Sequence, residues 1–596
     1  MSSSPSAAVD SPPTPQLGVS LDAAAGSNTH ISTKSEDAPT ITKDTAESSE
    51  PGKEEFSVET GNEDSKDETN ERGENQSPDA NKSLISKMSL QRQILTMLAL
   101  ALAVFIASLD QTIVASSMPT IAEHFNALSS VNWIATVFLL ASTALQPLYG
   151  RLSDIFGRIE TLIFGLIIFL IGSAVSGAAT SIGMLIAART IQGLGASSLI
   201  SLVMVIVSDI TIERERGKLS SVFSSVWAVS AVLGPVLGGV FTESKGGWRW
   251  VFYFSIPVGV VAGLFIVTFL RLPRPRGSFR EKLARVDFLG IAVLVSGIVM
   301  VLLALSFGGK DYPWSSAVVL CLLIFGIVVV GIFVLIEWKI PAEPIMPLRL
   351  YKNRNVGLVL LMQLFLGAAL FGPSFYIPLF FSVVRSSSPI TSGLHLLPFM
   401  LPICVFAMIG GWTIAKTGRY RELMWLGGVI TAVGLGLMAL LDENSSNSKS
   451  IGLLIIAGVG VGLELQPGML AVQTACEPRD MAAATTLLVS IRTLGGTVGL
   501  AIFQTVLQNS LKSKMAPIFH QFPEYAGIIS ASIDNQAAIH KGGIPADLQV
   551  ALVRAYAGAM RYVFIAMIPF GAMMTIITLP TKHIPLRTRM AKAVSE

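Results

Sequence analysis

Three ionisable side chains lie inside long apolar stretches of this chain, where a charge is costly unless something compensates it. Asp110, Arg189 and Glu464 each fall well within a run of hydrophobic residues. On insertion scales, an ionised side chain at the centre of a membrane-spanning helix costs about 2.5–3.5 kcal/mol. Such side chains therefore face a polar partner or a water-filled cavity, and they commonly mark proton or ion pathways.

Asp110 is the candidate for reversible proton binding. Burial favours the neutral form of a carboxyl group, so a buried aspartate can take up a proton and release it when its surroundings change. Arg189 does not titrate usefully, and we expect it to tune a carboxylate or to hold water, with Gln192 hydrogen-bonding beside it. The alternatives are structural: Asp110 fixes a bend in its helix through a hydrogen bond, and Arg189 clamps two helices together.

Glu464 lies in a glycine-rich stretch that continues into Pro467 and Gly468. Glycine and proline loosen a membrane helix, and a loosened helix suits the wall of a cavity. We hypothesise that Glu464 binds protons or cationic ligands. The alternative is a salt bridge to Arg492 in the neighbouring apolar run.

A candidate ligand cavity collects other polar and aromatic side chains of the apolar runs. Its predicted lining consists of Gln192, Trp133, Trp227, Gln466, Gln473 and Arg492. The aromatic side chains that could stack on flat organic ligands are Trp133, Trp227, Phe371, Phe375 and Tyr376. The alternative for these rings is ordinary packing or a position at the lipid interface.

Composition restricts the class of protein. Of the 596 residues, 51% are hydrophobic and only 14% are charged, whereas soluble domains carry about a quarter charged residues. The six histidines and three cysteines are scattered without metal-ligand or disulfide spacing, and the sequence has no G-x-x-x-x-G-K-[ST] loop. These observations argue against an ATP-driven pump and against a membrane enzyme with a metal or nucleophile cluster.

The elements that must position these residues are membrane-spanning helices. Residues 1–92 are rich in Ser, Thr, Asp and Glu, and this composition predicts a disordered segment without a signal peptide. Fourteen apolar runs then follow, each long enough to cross a bilayer. The predicted spans are 95–117, 132–150, 161–179, 183–207, 219–241, 250–270, 287–307, 315–336, 356–383, 392–415, 423–441, 451–472, 483–507 and 558–579.

The distribution of Lys and Arg predicts the orientation. Basic residues concentrate in alternate connections, most densely at 271–285, and this pattern predicts that both termini are cytoplasmic. Residues 508–557 form a long predicted outer segment with three lysines, which long loops tolerate. The sequon at Asn444 lies on the predicted outer side, but it is so close to a span that we expect it to remain unglycosylated.

One pattern occurs twice at the same end of a two-span hairpin. Gly150–Arg158 follows the second span and Gly411–Arg419 follows the tenth, and both read Gly, six residues, Gly, Arg. Glycine permits close helix approach and a sharp turn. In the first copy, Asp154 and Arg158 can neutralise each other on either side of Gly157. An ordinary tight basic loop is the alternative interpretation.

Several motifs resemble those of a known family. Gly150–Arg158 resembles the signature G-x-L-[AS]-D-x-x-G-[RK] of the major facilitator superfamily. Leu109–Val114 is similar to the first-span signature of its fourteen-span drug:proton antiporters, and Arg189–Gly195 to their fourth-span R-x-x-Q-G-x-G pattern. Gly234–Gly239, with Gly234, Pro235, Gly238 and Gly239, resembles the fifth-span antiporter pattern G-P-x-x-G-G. Trp248–Phe252 is also typical of the entry to the sixth span.

The chain departs from the family pattern at three kinds of position. Glu160 stands where the first signature usually keeps a second basic residue. Ser230 and Ser221 stand where the fifth-span pattern usually has glycines, so close packing is kept while backbone freedom is reduced. The second copy of the repeat also lacks the acidic partner of Asp154.

The resemblance implies an all-α membrane protein of the major facilitator fold, in which two six-helix bundles rock about a midplane cavity. Two extra spans are inserted between the bundles. The implied organisation is a cytoplasmic tail at 1–92, an N-terminal bundle at 93–270, a linker with two extra spans at 271–354, a C-terminal bundle at 355–580 and a cytoplasmic tail at 581–596.

The function implied by the resemblance is proton-coupled antiport that exports small organic compounds such as drugs, toxins or secondary metabolites. The resemblance implies a role in proton coupling for Asp110 and Arg189. An importer or vacuolar carrier of basic amino acids or siderophores is the alternative. We expect a plasma-membrane protein of the fungal type, with the vacuolar membrane as alternative. The expected partners are small-molecule substrates and lipid, without nucleic acid, for a monomer that uses protons as coupling ion and has no cofactor.

Overall fold

A computed structural model describes residues 89–125, 133–244, 247–309, 312–339, 343–387, 389–534, 539 and 544–586. Over these residues the chain is helical, with an isolated bridge between Gly308 and Tyr312 and no β-strand. The predicted disordered tail lies outside the described residues except for its last four positions.

Fourteen helices in the described part of the chain are long and apolar enough to cross a membrane, which confirms the predicted number. They are α1 (Leu90–His124), α2 (Trp133–Phe156), α3 (Arg158–Gly177), α4 (Ile182–Ile210), α5 (Glu213–Glu243), α6 (Gly247–Phe269), α7 (Phe288–Phe307), α8 (Ala317–Lys339), α9 (Arg354–Val384), α10 (Leu397–Thr417), α11 (Arg421–Met438), α12 (Asn447–Ala475), α13 (Met481–Gln521) and α14 (Ala546–Thr578).

The helices form two bundles of six, as the resemblance implies. In the first bundle, α1 packs on α5 and α6, and α4 packs on α2 and α3. In the second, α9 packs on α13 and α14, and α12 packs on α10 and α11. The bundles meet along two helix pairs, α2 with α13 and α5 with α10. A midplane site between the bundles is therefore walled by helices from both.

The two extra helices form a hairpin at the side of the bundles. α7 and α8 pack on each other, and α7 also contacts α2 of the first bundle and α13 of the second. Trp314, in the connection between them, donates from Nε1 to Thr505 Oγ1 at 3.0 Å. Many apolar side chains of α8, including Ile324 and Phe325, are exposed. This exposure suits a helix that faces lipid on most of its circumference.

The predicted outer segment 508–557 differs from the structure in its helix boundaries. α13 continues fourteen residues beyond its predicted end to Gln521, and α14 begins at Ala546 instead of 558. A short helix, Ala526–Asp534, lies between them. Leu511, Met515 and Ile518 recur at helical spacing and are buried in one cluster with residues of the extended α14. The prediction missed these turns because their polar positions lower the average hydropathy.

Polar and glycine residues define several helix ends. The side chain of Ser181 caps α4 by accepting from Met184 N, and Ser446 caps α12 by accepting from Lys449 N. Gly157, between α2 and α3, has φ +116°, and Gly418, which ends α10, has φ +72°. Both glycines stand in the repeated pattern, where the sharp turns require the left-handed backbone region.

Candidate functional site

Asp110 and Arg189 form a buried ion pair between α1 and α4. Each residue is 1% exposed, and Arg189 Nη1 donates to Asp110 Oδ2. Gln192 closes a triangle with them: its Nε2 donates to Asp110 Oδ1 at 2.8 Å, and its Oε1 accepts from Arg189 Nη1 at 2.6 Å. Both carboxylate oxygens of Asp110 therefore have a donor, and this geometry stabilises the charged form of the pair.

The walls around the ion pair come from two further helices, α2 and α3. Arg189 Nε donates to the carbonyl of Ile134 on α2 at 3.2 Å, and its guanidinium carbon lies 4.2 Å from the ring centre of Phe138. Gln192 Nε2 also donates to Ser173 Oγ on α3 at 2.7 Å. Ser173 belongs to this cluster, yet a single serine in an apolar run carries no sequence signal that could have identified it.

The glycine-rich motif of α5 lies directly against the helix that carries Asp110. A Cβ atom at Gly234 would come within 2.0 Å of Thr112 Oγ1, so only glycine permits this approach of α5 to α1. The carbonyls of Gly238 and Gly239 both accept from the hydroxyl of Thr242. Pro235 approaches Gly393 of the short helix Pro389–Leu394, which precedes α10. The motif therefore links α1 with the second bundle.

A cavity lies between the two bundles. Its wall includes Gln111 and Gln146 from the first bundle and Thr493 from the second. Trp227 of α5 and Phe371 of α9 also line it, and their ring centres are 5.9 Å apart at 74°. Apolar walls with a few polar groups are typical of sites that bind a small organic molecule.

Arg492 brings a positive charge to this cavity. It is the single charged side chain among the described residues of the lining. Close glycine contacts place its helix: a Cβ at Gly367 of α9 would come within 1.9 Å of the Arg492 carbonyl, and one at Gly495 would come within 1.9 Å of the Leu364 carbonyl. α9 and α13 therefore pack backbone to backbone beside Arg492.

The structure brings only part of the predicted cavity lining together. Trp227 and Arg492 line the cavity, and Gln466 lies next to it, where its Nε2 donates to the cavity residue Ser224 at 3.1 Å. Gln192 instead makes hydrogen bonds with both members of the ion pair, Asp110 and Arg189. Gln473 donates to Thr485 at 3.2 Å between α12 and α13.

Only some of the predicted aromatic residues line the cavity. Phe371 lines the cavity, whereas Trp133 at the start of α2 packs edge-to-face on Phe307 of α7. Tyr376 is buried and donates to Gln504 Oε1 at 3.3 Å, and Phe375 is half exposed on the outer side of α9. Gln111 and Gln146 were missed as lining residues, although polar amides in apolar runs are a detectable signal.

Glu464 lies inside the second bundle and away from the cavity lining, where Leu465 takes the wall position. It is fully buried, and neither carboxyl oxygen has a hydrogen-bond partner in the described part of the chain. A Cβ at Gly427 of α11 would come within 2.8 Å of Glu464 Oε2, so this glycine leaves room for the carboxyl group. Among the described residues, no salt bridge joins Glu464 and Arg492.

The first copy of the repeat forms a charged cluster at one end of the bundles, here called the motif face. Arg158 Nη1 lies 2.6 Å from Asp154 Oδ1, and Arg158 Nε lies 2.7 Å from Asp209 Oδ2 on α4. A Cβ at Gly150 would come within 2.3 Å of Thr486 Oγ1, so this glycine sets the close crossing of α2 and α13. Gly157 provides the sharp turn from α2 into α3.

The two bundles are joined at the motif face. Arg151 Nη2 lies 3.5 Å from Asp480 Oδ1, and Asp480 also accepts two hydrogen bonds from Arg349 at 2.5 and 2.6 Å. Because Asp480 accepts from it, the pKa of the Arg349 guanidinium is raised. Arg151 Nε also donates to the Pro344 carbonyl at 2.6 Å. The segment 343–352 after α8 therefore contacts both halves, which the sequence did not indicate.

The second copy makes its contact between bundles without an acidic side chain. A Cβ at Gly411 would come within 2.3 Å of the Gly217 carbonyl, so α10 and α5 touch through their backbones. Arg214 donates to the carbonyls of Ala415 and Lys416 at 2.6 and 3.0 Å. A cation at these last carbonyls of α10 complements the negative end of the helix dipole.

Three remaining points from the sequence are the sequon at Asn444, the departure from the family pattern at Glu160 and the question of a metal site. Asn444 is exposed in the turn between α11 and α12, and Ser446 of the same sequon caps α12. Glu160 pairs with Arg274 of the linker at 2.5 Å on the surface. Within the described residues, no group of three His, Cys, Asp or Glu side chains could hold a metal ion.

The sequence matches known proteins over most of its length. The family model described as Major Facilitator Superfamily matches residues 100–500. The efflux pump dotC of Dothistroma septosporum (strain NZE10 / CBS 128990) is 38% identical over 437 residues, which cover 73% of this chain and 75% of the pump. The efflux pump FUS6 of Gibberella fujikuroi is 30% identical over 503 residues, which cover 83% and 90%.

Solved structures share the fold at low sequence identity. A bacterial homologue of the human lysosomal transporter Spinster, in an inward-facing and unoccupied conformation, superposes with a TM-score of 0.53 at 17% identity, covering 85% of this chain and 100% of that chain. The human organic anion transporter MFSD10 superposes with a TM-score of 0.51 at 16% identity, covering 80% of this chain and 100% of that one.

Proposed function

The chain belongs to the major facilitator superfamily, and from that premise we propose that it is a proton-coupled antiporter that exports small organic compounds by alternating access. The family and the efflux-pump relatives make it a membrane transporter and not an enzyme. The finer assignment, proton antiport, rests on one observation: the buried ion pair of Asp110 and Arg189, closed by Gln192.

The ion pair supports a coupling mechanism through proton binding at Asp110. A proton on either carboxylate oxygen removes the negative charge that holds Arg189, and the remaining hydrogen bonds are weaker. The electrostatic attraction that holds α1 against α4 is then weaker. The next residue, Gln111, lines the cavity, so a shift of α1 is transmitted to bound substrate. Release of the proton restores the pair, which makes proton and substrate binding mutually exclusive.

Glu464 is proposed as a second proton site, in the other bundle. A fully buried carboxyl group without a donor is far cheaper to keep neutral than charged, so we infer that it carries a proton in this conformation. It would lose that proton only when movement of α11 or α12 admits water. Because Glu464 is not in the cavity wall, binding of a cationic substrate there has less support than proton binding.

The motif face is proposed to be the cytoplasmic gate. Its density of Arg and Lys favours the cytoplasmic side, and its contacts between bundles close the cavity in that direction. We propose that both termini are cytoplasmic, that the protein acts in the plasma membrane, and that one chain suffices because the cavity is built within it.

The test is transport by purified protein in proteoliposomes. With an imposed pH gradient, we expect wild-type protein to move anthracene-2-carboxylate or its neutral amide against protons, with proton flux followed by a pH-sensitive dye. Asp110→Asn should abolish gradient-driven transport and retain substrate counterflow without a gradient. Asp547→Asn, at an exposed site at the start of α14, is the matched control. Undiminished gradient-driven transport by Asp110→Asn would refute the coupling mechanism.

A carrier of basic amino acids is less well supported. Such a substrate needs an anionic group in the cavity wall, and the described lining residues offer Arg492 instead. The same vesicles separate an exporter from an importer, because antiport and symport move protons in opposite directions relative to the substrate.

A further inference from the structure

Arg492 is half-buried in the wall of the cavity between the two bundles, and the described residues provide it with no ion-pair partner. The two acids that are buried within membrane spans of the bundles are otherwise accounted for. The oxygens of Asp110 accept from Arg189 and Gln192, and those of Glu464 have no hydrogen-bond partner in the described part of the chain. A charge that is partly removed from water and lacks a protein counter-charge is costly. The position of Arg492 in this cavity wall therefore requires an explanation.

From this we propose that Arg492 selects substrates that carry an anionic group on a flat, conjugated ring system. This inference rests on the proposed export function and assigns its substrate class. Arginine presents a planar set of donors that matches carboxylates and other two-oxygen anions. A substrate anion would supply the counter-charge for the guanidinium that the described residues do not provide.

The aromatic walls account for the flat part of the substrate. Trp227 and Phe371 lie on opposite bundles and contact each other edge-to-face at 5.9 Å. Aromatic rings stack favourably on other conjugated rings, and the gain adds to the burial of apolar area. Both rings line the same cavity as Arg492, so one compact molecule can engage the ring pair and the cation together.

A second, independent observation points to a ligand in the cavity. Gln146 is 1% exposed and lines the cavity, and its Oε1 has no hydrogen-bond partner among the described residues. Buried amide oxygens in proteins are nearly always satisfied. A hydroxyl or amide donor on the substrate would satisfy this one. The preferred substrate is therefore an aromatic acid that also carries a hydrogen-bond donor.

The test uses three probes of one shape and different charge: anthracene-2-carboxylate, anthracene-2-carboxamide and 2-(aminomethyl)anthracene. Binding is measured by fluorescence with purified protein in nanodiscs without a pH gradient. We expect wild-type protein to bind the acid at least tenfold more tightly than the amine. Arg492→Gln should weaken binding of the acid by about tenfold to a hundredfold and leave the neutral amide unchanged, while Arg492→Lys should retain part of the preference.

Arg554→Gln is the matched control, because it removes the same charge from an exposed position whose ion-pair partner, within the described residues, is Glu443 alone. Unchanged amide binding by Arg492→Gln verifies that the variant is folded. If Arg492→Gln keeps the full preference for the acid, the inference is overturned, even where gradient-driven export is intact. If the preference depends on Arg492 and no proton gradient drives transport, the inference stands and proton antiport fails.

Discussion

The carboxyl groups of Asp110 and Glu464 are both buried in membrane helices, but their surroundings differ in kind. Asp110 accepts from a guanidinium and an amide, so its charge is compensated within the protein. Glu464 has neither a cation nor a donor among the described residues. Buried acids of the first kind serve as charged partners, and those of the second kind are stable only when neutral. These different surroundings support the proposal that the two acids act at different steps of the transport cycle.

Glu464→Gln should preserve the fold and alter the dependence of transport on pH. The amide has nearly the shape of a neutral carboxyl group, so we expect thermal stability within about 1 kcal/mol of the wild-type value. If Glu464 exchanges a proton during the cycle, the variant should show a flatter rate profile between pH 5 and 8. Transport by reconstituted protein across that pH range is the measurement.

Glu443→Gln, in the exposed turn before α12, is the control for loss of a carboxyl group at the surface. A Glu464→Gln profile that follows the wild-type curve at every pH would leave Glu464 a structural role only.

At the scale of elements, the segment 343–352, here called the strap, lies across the motif face and contacts both bundles. Its Pro344 carbonyl accepts from Arg151 of the first bundle, and its Arg349 binds Asp480 of the second. Opening of this face must break these bonds together with the glycine contacts of α5 and α10. The strap therefore connects the inserted hairpin to the gate, a coupling that a twelve-span relative without the insert would lack.

Cys476 offers a reporter for that opening. It lies between α12 and α13 at the motif face, and burial raises the pKa of its thiol to about 12. At pH 7.5 it is thus almost entirely in the unreactive thiol form, and its reactivity should rise only as the pH approaches 12. In protein that retains this cysteine alone, we expect slow maleimide labelling at pH 7.5. Arg349→Ala should accelerate labelling about tenfold by loosening the strap.

Lys352→Ala, an exposed change on the same short helix, Arg349–Lys352, should leave the labelling rate at the parental value. Equal rates for Arg349→Ala and Lys352→Ala would show that the Arg349–Asp480 bonds do not hold the face closed.

The contact of α5 with α10 should be sensitive to a single methyl group. Gly411→Ala would place a Cβ 2.3 Å from the Gly217 carbonyl, so the closed face must shift, at a cost of about 1–3 kcal/mol. Gly452→Ala, on α12, meets nothing within 4 Å. We expect Gly411→Ala to increase labelling of Cys476 and to slow transport, while Gly452→Ala leaves both unchanged. No difference between the two variants would argue against a closed backbone contact.

For the molecule as a whole, orientation can be tested by cysteine accessibility. We expect Asn444→Cys to react with a membrane-impermeant maleimide added to intact cells, and Arg419→Cys to react only after permeabilisation. Both positions are exposed and lie at opposite ends of α11. The background should lack the native Cys321, Cys404 and Cys476. The reverse pattern would place the motif face outside and would invert the proposed direction of transport.

Long apolar runs predicted the number of spans well because helices in lipid must satisfy their backbones internally and must be long enough to cross. The apolar runs gave the wrong end for α13, where Leu511, Met515 and Ile518 alternate with polar residues. In that segment, the helical spacing of the apolar residues would have predicted the longer helix. The chemistry of Asp110 and Arg189 was also visible, because charges in apolar runs are rare.

Pairings across distant parts of the chain were not visible. Arg349 and Asp480 lie 131 residues apart, and nothing in their local sequence indicates that they meet. The sequence also did not indicate that Ser173 contacts Gln192, or that Glu464 lies outside the cavity wall. A single sequence gives the residue types that could take part in a site, whereas the packing of the bundles decides which of them share it.

The contact between Trp227 and Phe371 has a mechanical consequence, since each ring belongs to a different bundle and the two rings meet inside the cavity. A planar guest that slides between them must act as a wedge and push the bundles apart at that level. Part of the favourable stacking energy would then offset the cost of separating the two bundles. The thickness of a substrate, as much as its charge, would therefore decide whether it drives the conformational change or only binds.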